Sequence, residues 1–119
     1  MQIEHEQLDG RVLKIKLSGR MDAGGSEEID SRLAALTAQP GIGIIVDLSN
    51  VAFLASIGIR TLLVYAKALA ARGGRMVLLN PDAGVAKVLE VSGLDTMIGV
   101  FRDLDAACTA VTAKPAGAA

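Results

Sequence analysis

The sequence predicts a single α/β domain: a mixed, mostly parallel β-sheet opened by an N-terminal hairpin and covered by about four α-helices. Three observations lead there. Short, β-branched apolar runs at residues 42–48 and 76–79 read as strands covered on both faces. Segments with apolar residues at helical spacing alternate with them. The resulting order, β-β-α-β-α-β-α-β-α, requires right-handed crossovers between parallel strands. The 119 residues fit one domain, and 51% hydrophobic against 3% aromatic content places the core in Val, Ile, Leu and Ala.

The elements follow in order. Residues 2–8 and 12–17 form two strands with Asp9-Gly10 between them, a dipeptide that favours mirror-image hairpin turns. Leu13, Ile15 and Leu17 alternate with Val12, Lys14 and Lys16, the period of a strand with one wet face. S-G-R-M-D-A-G-G-S, residues 18–26, breaks that pattern. Ser26 is a suitable N-cap, and Glu27 and Glu28 place negative charge where a first helical turn favours it. Ile29, Leu33 and Leu36 make the stripe of this helix, and Pro40-Gly41 ends it. After the strand at 42–48, residues 49–55 read as a connection. A second helix runs from Ile57 to about Ala71, burying Ile59, Leu62, Leu63, Ala66 and Leu69 and stopping at Gly73-Gly74. The strand at 76–79 leads to Asn80-Pro81-Asp82, which starts a third helix carrying Val85, Val88 and Leu89 inward and ending near Gly93. Residues 98–101 form a short last strand. Asp103 caps a fourth helix with Leu104, Ala107, Cys108 and Val111 on its apolar side. The domain is expected over 1–113, with 114–119 a flexible tail.

Bulk properties exclude several function classes. A net charge of -1 carries no basic footprint for nucleic acid and no cationic patch for a membrane surface. No apolar run approaches the ~20 residues of a bilayer span. The polar, acidic start M-Q-I-E-H-E-Q is not a signal peptide, and a lone cysteine, Cys108, makes no internal disulfide. A cytoplasmic location in a reducing compartment is expected. His5, the one histidine, has no partner for a metal site, and Cys108, on an apolar stripe, reads as a buried thiol rather than a nucleophile. Asp47 and Ser49 read as local hydrogen-bonding residues at a strand end. No acid–base pair, metal cluster or nucleotide fingerprint appears, so neither catalysis nor a cofactor is expected, and any ATP must come with a partner.

One stretch stands apart. In F-L-A-S-I-G-I-R-T-L-L, residues 53–63, Ser56 is a small hydroxyl at the junction of strand and helix. Locally it reads as an N-cap. The same place, at the carboxyl end of a strand beside free helix N–H groups, also suits a phosphorylated serine. Asp22 reads locally as a turn former, and Arg60, Thr61, Lys67 and Ala68 read as a solvated face or a docking rim.

Together, D-L-S-N-V-A-F-L-A-S-I-G-I-R-T-L-L, the upstream G-R-M-D, and the downstream G-G-R-M-V-L-L-N-P and V-L-E-V-S-G-L-D resemble a STAS domain, and more narrowly the stand-alone bacterial anti-sigma factor antagonists. The resemblance runs from about Ile3 to Val111. It implies a partner switch. In that family the unphosphorylated antagonist binds an anti-sigma factor that is also a serine kinase, and the sigma factor is released. The kinase phosphorylates a serine at the start of the second helix, the complex separates, and a phosphatase resets it. The family's D-S-S-G box falls on Ala55, Ser56, Ile57 and Gly58, with Ser56 in the phosphoacceptor position. Ala55 stands where an acid is common and Ile57 where a second hydroxyl is common. The resemblance also implies a docking surface of Asp22, Ala23, Ala55, Ser56, Ile57, Gly58, Arg60 and Thr61, with Asp22 beside Ser56. An alternative use of the same fold is a STAS scaffold subunit in a transporter or sensory assembly, without obligatory phosphorylation.

Overall fold

A computed structural model describes residues 1–112; the expected tail at 114–119 lies outside the described residues. The order is β1 (Gln2–Asp9), β2 (Val12–Met21), α1 (Ala23–Leu36), β3 (Gly43–Leu54), α2 (Ser56–Ala71), β4 (Arg75–Leu79), α3 (Ala83–Ser92), a 3-10 turn (Leu94–Thr96), β5 (Gly99–Phe101) and α4 (Leu104–Thr112). The five strands lie side by side in chain order. β1 and β2 are antiparallel, and the remaining neighbours are parallel.

The topology fixes which face each helix covers. The steps from β2 to β5 all move the same way across the sheet, so right-handed crossovers put α1, α2 and α3 on one face. There Leu13, Ile15, Leu17, Ile44, Val46 and Leu78 pack against Ile29, Leu33, Leu62, Leu69, Val85 and Leu89. The other face carries a smaller cluster of Val12, Ile45, Val77 and Leu79 under Ala107 and Val111 of α4. Beyond α4 that face is polar. There Asp47, buried, accepts from the Ser49 N–H at 2.9 Å and lies 3.6 Å from the Lys14 ammonium. Leu104 does not join the cluster but is 36% exposed, and Cys108 is half-buried rather than buried.

Four boundaries differ from the sequence reading. Strand β2 runs on through Ser18–Met21, and β3 through the segment read as a connection, because the two pair in parallel to their ends: Ser18 with Asn50, Arg20 with Phe53, Met21 with Leu54. Irregularities between Lys16 and Ser18 and between Gly19 and Arg20 hide this pairing from a strict alternation. The hairpin turn is not of the mirror-image kind, since neither Gly10 nor Arg11 has a left-handed φ. Asp9 closes the turn by accepting from the Arg11 N–H at 2.9 Å. Helix α1 stops at Leu36, before Pro40-Gly41, where the Thr37 hydroxyl donates to the Leu33 carbonyl at 2.7 Å. Helix α2 ends as expected: Gly73, at φ +79°, lets the Gly73 and Gly74 N–H groups bond the carbonyls of Ala70 and Leu69.

Helices α1 and α2 are tied at the surface by Tyr65, whose hydroxyl donates to the Asp30 carboxylate at 2.6 Å. Desolvation, then the Asp30 carboxylate, pushes this phenol up to about 12. The neutral phenol is the form the fold favours. Its contribution is therefore complete below the usual phenol value of 10 and is lost as pH rises from there through about 12. As the chain has 1 Tyr and no Trp, an alkaline absorbance titration reads this group alone, and a midpoint near 10 would contradict the contact. Tyr65→Phe is expected to cost about 0.5–1 kcal/mol in urea unfolding.

Candidate functional site

The register of the two central strands builds the site. Met21 pairs with Leu54, so the residues that follow them, Asp22–Ala23 and Ala55–Ser56, emerge side by side at the carboxyl edge of the sheet. The Ala55 N–H donating to the Met21 carbonyl at 3.0 Å locks the two exits together. Each exit leads directly into a helix, and in parallel sheets this edge is where functional groups gather.

Glycine makes the close approach possible on both sides. A Cβ on Gly58 would meet the Met21 carbonyl oxygen at 2.8 Å, as well as the Met21 and Leu54 side chains. A Cβ on Gly25 would fall on the Arg20 carbonyl itself. Both first turns therefore press against the end of β2.

The cap of α1 is Asp22, not Ser26. Its carboxylate accepts from the Gly25 N–H at 2.8 Å, and the Arg20 guanidinium lies 3.6 Å from its other oxygen. The Gly25 bond chiefly, with help from Arg20 and against some desolvation, holds the Asp22 carboxyl below the usual carboxylate value of 3.8. The cap is thus complete above that value and is lost as pH falls through and below it. Asp22→Asn should flatten the acid limb of a stability–pH curve. An acid limb identical to that of the wild type would show that Asp22 does not contribute to it. Ser26 sits within the helix, buried, its hydroxyl without a partner. Glu27 and Glu28 consequently fall beyond the first turn.

Ser56 is likewise not a cap. Ala55 holds that position at α2, with no side-chain hydrogen bond, and Ser56 is the first helical residue, exposed. The contrast with the other helices is sharp. Asp22, Asp82 and Asp103 each accept from the first turn of α1, α3 and α4. At α2 no carboxylate occupies the amides of the first turn.

The start of α2 forms a ridge between two shallow grooves. Toward α3, Ser56 and Ile59 face Lys87, Val88, Val91 and Ser92. Toward α1, Ile57 and Thr61 face Ala23, Ser26, Glu27 and Asp30. Ile57 is 40% exposed and Val91 75% exposed, so both grooves have apolar rims. Thr61 turns its hydroxyl onto the Ile57 carbonyl at 2.9 Å, and Arg60 is exposed on the ridge. Behind the ridge the Arg20 guanidinium stacks 4.3 Å from the Phe53 ring, its register partner.

The residues of the docking surface implied by the resemblance thus lie at one edge, with Asp22 and Ala23 at one exit, Ala55, Ser56, Ile57, Arg60 and Thr61 at the other, and Gly58 buried beneath, while Lys67 and Ala68 lie farther along α2. Sequence reasoning missed Arg20 and Phe53, hidden in the segments read as loops, and the groove walls from α1 and α3. Val91 alone carried a signal, an apolar residue off the Val85–Leu89 stripe. No group of three or more His, Cys, Asp or Glu side chains able to hold a metal occurs among the described residues, and no helix there is long and apolar enough to cross a membrane.

Comparison with known proteins finds chains similar over most of the length. An anti-sigma F factor antagonist of Lysinibacillus sphaericus is 30% identical over 95 residues, covering 79% of this chain and 81% of that protein. The crystal structure of an anti-sigma factor antagonist from Mycobacterium paratuberculosis superposes with a TM-score of 0.84 at 25% identity, over 94% of each chain. The Bacillus antagonist SpoIIAA superposes in its unphosphorylated form at 0.76, with 27% identity over 92% of this chain and 96% of that one. In its phosphorylated form the TM-score is 0.69, with 26% identity over 92% and 99%. The STAS domain profile matches residues 2–107, and the chain belongs to the STAS domain family.

Proposed function

We propose that this protein is an anti-sigma factor antagonist that works by partner switching. Unphosphorylated, it docks an anti-sigma factor that is also a serine kinase on the edge formed by Asp22, Ala23, Ala55, Ser56, Ile57, Gly58, Arg60 and Thr61, and the sigma factor is released. Phosphorylation of Ser56 ends the docking, and a phosphatase restores it. The protein contributes a surface rather than a catalyst, works in the cytoplasm, and leaves ATP to the kinase.

The observation that carries this reading is the start of α2. Ser56 is exposed on the first turn of the one helix, among α1–α4, that does not begin on an aspartate. A phosphate there meets amides that no side chain has occupied and a favourable helix dipole, so the modification is compatible with the folded state. It adds about -1.5 to -2 charges and a hydration shell where a neutral hydroxyl stood on the docking ridge. Ala55, which stands where an acid is common in the family, leaves those amides without a side-chain acceptor.

The test is incubation with the cognate kinase and ATP, followed by peptide mass spectrometry. One added phosphate, on Ser56 and absent from Ser56→Ala, is expected. No phosphate under any condition would overturn the switch and favour a scaffold role for the domain.

A further inference from the structure

Ser56 stands between two cations. On its own helix Arg60 follows at i+4 and is exposed. Side chains at that spacing lie on one helix face, and an anion placed N-terminal to a cation is the favourable order. On the neighbouring helix Lys87 lies across the α2–α3 groove, which is lined by Ser56, Ile59, Lys87, Val88, Val91 and Ser92. Lys87 is the one charged side chain in that lining.

Both cations are available. Arg60 makes no ion pair among the described residues. Lys87 reaches only Glu90, at 4.0 Å, with side chains 70% and 68% exposed, a pair of little worth. The carboxylates at the start of α2 are placed elsewhere. Asp22 accepts from the Gly25 N–H and lies 3.6 Å from the Arg20 guanidinium, while Glu27 and Asp30 line the groove on the other side of the ridge. The Ser92 hydroxyl already donates to the Leu89 carbonyl. The remaining walls, Ile59, Val88 and Val91, are apolar. They offer the Lys87 stem a surface to lie on and weaken the screening of its charge.

We infer that Lys87 and Arg60 form a clamp for the phosphate on Ser56, Lys87 holding it from across the groove and Arg60 from one turn along α2. This rests on the reading that Ser56 is the phosphorylated residue, and it adds how the phosphorylated form is kept. The phosphate is drawn over the α2–α3 groove rather than left in free solution. The amides of a first helical turn suit any anion. The two cations are what this chain adds. They attract the phosphate dianion more strongly than the monoanion, so they lower its second ionisation.

The test uses the full chain with phosphoserine installed at residue 56 during translation, followed by phosphorus NMR across a pH titration at low and high salt. The midpoint is expected roughly half a unit or more below the ordinary value of about 6 at low salt, and closer to it at high salt. Lys87→Met and Arg60→Met each remove one charge from an exposed side chain, and each should return the midpoint part of the way, the pair together further. Lys67→Met makes the same charge change about three turns along α2 and should leave the midpoint within about 0.1. A midpoint that either Lys87→Met or Arg60→Met leaves unmoved overturns the clamp. Because the phosphate is installed in translation, the result does not depend on the kinase. If the cognate kinase leaves Ser56 unmodified while both substitutions move the midpoint, the clamp stands and the switch falls.

Discussion

Ser56→Asp is expected to fold like the wild-type protein and to lose about 100-fold or more of its affinity for the cognate anti-sigma factor, while Ser56→Ala is expected to keep both fold and binding. The fold is expected to survive because residue 56 is the first of α2, exposed, and its hydroxyl makes no hydrogen bond. An acid at that position is favoured by the helix dipole. Binding is lost for a different reason. Docking on the ridge would strip water from whatever residue 56 carries, and desolvating a carboxylate can cost more than the Lys87 ammonium across the groove returns, each 1.4 kcal/mol being tenfold in affinity. Far-ultraviolet circular dichroism and calorimetry on the two variants separate these effects. Equal binding by both variants would place Ser56 outside the footprint.

Gly25→Ala is expected to destabilise the protein by about 3 kcal/mol or more, and to reduce binding because it moves Asp22 and Ala23 out of place. Two glycines stand in sequence here and only one is required. The Cβ of an alanine at 24 would meet nothing nearer than the Asp22 carboxylate at 3.8 Å. Inside a helix such a change gains up to about 1 kcal/mol from propensity. The Cβ of an alanine at 25 would fall on the Arg20 carbonyl, a backbone atom of a central strand that cannot rotate away. The first turn of α1 would have to lift off β2, an overpacking with few routes of relief. Urea unfolding of the pair reads the difference. Similar stabilities for Gly24→Ala and Gly25→Ala would show that the close approach does not exist.

These two positions also show what the sequence could and could not disclose. Helices α2 and α3 were legible because their apolar stripes, Leu62 to Leu69 and Val85 to Leu89, obey the helical period, and Gly73-Gly74 and Asp82 mark their ends by local chemistry. The four-residue extension of β2 and the six-residue extension of β3 were not. Ser18, Arg20, Asn50 and Phe53 read as loop, and only pairing between the two strands makes them sheet. The cap of α1 was misplaced for a related reason. Ser26 and Asp22 are both good caps, and the choice depends on how closely Gly25 can approach Arg20, a tertiary fact. The junction at Ser56 could be seen locally, but that Asp22 stands beside it was implied only by the family resemblance and not by the residues themselves. The proximity follows from Met21 pairing with Leu54, thirty-three residues away. Of the groove walls, Glu27, Asp30 and Lys87 read as solvated surface, and only Val91, apolar and off the stripe of its helix, gave a sign in the sequence.

The central claim is that one phosphate on an otherwise unchanged domain switches a docking surface off. It is tested most directly by measuring the affinity of the cognate anti-sigma factor for the protein before and after stoichiometric phosphorylation at Ser56, with circular dichroism recorded on both forms. The expected result is unchanged secondary structure with an affinity loss of about 100-fold or more. Equal affinity of the two forms, or a loss of affinity that accompanies unfolding, would contradict it.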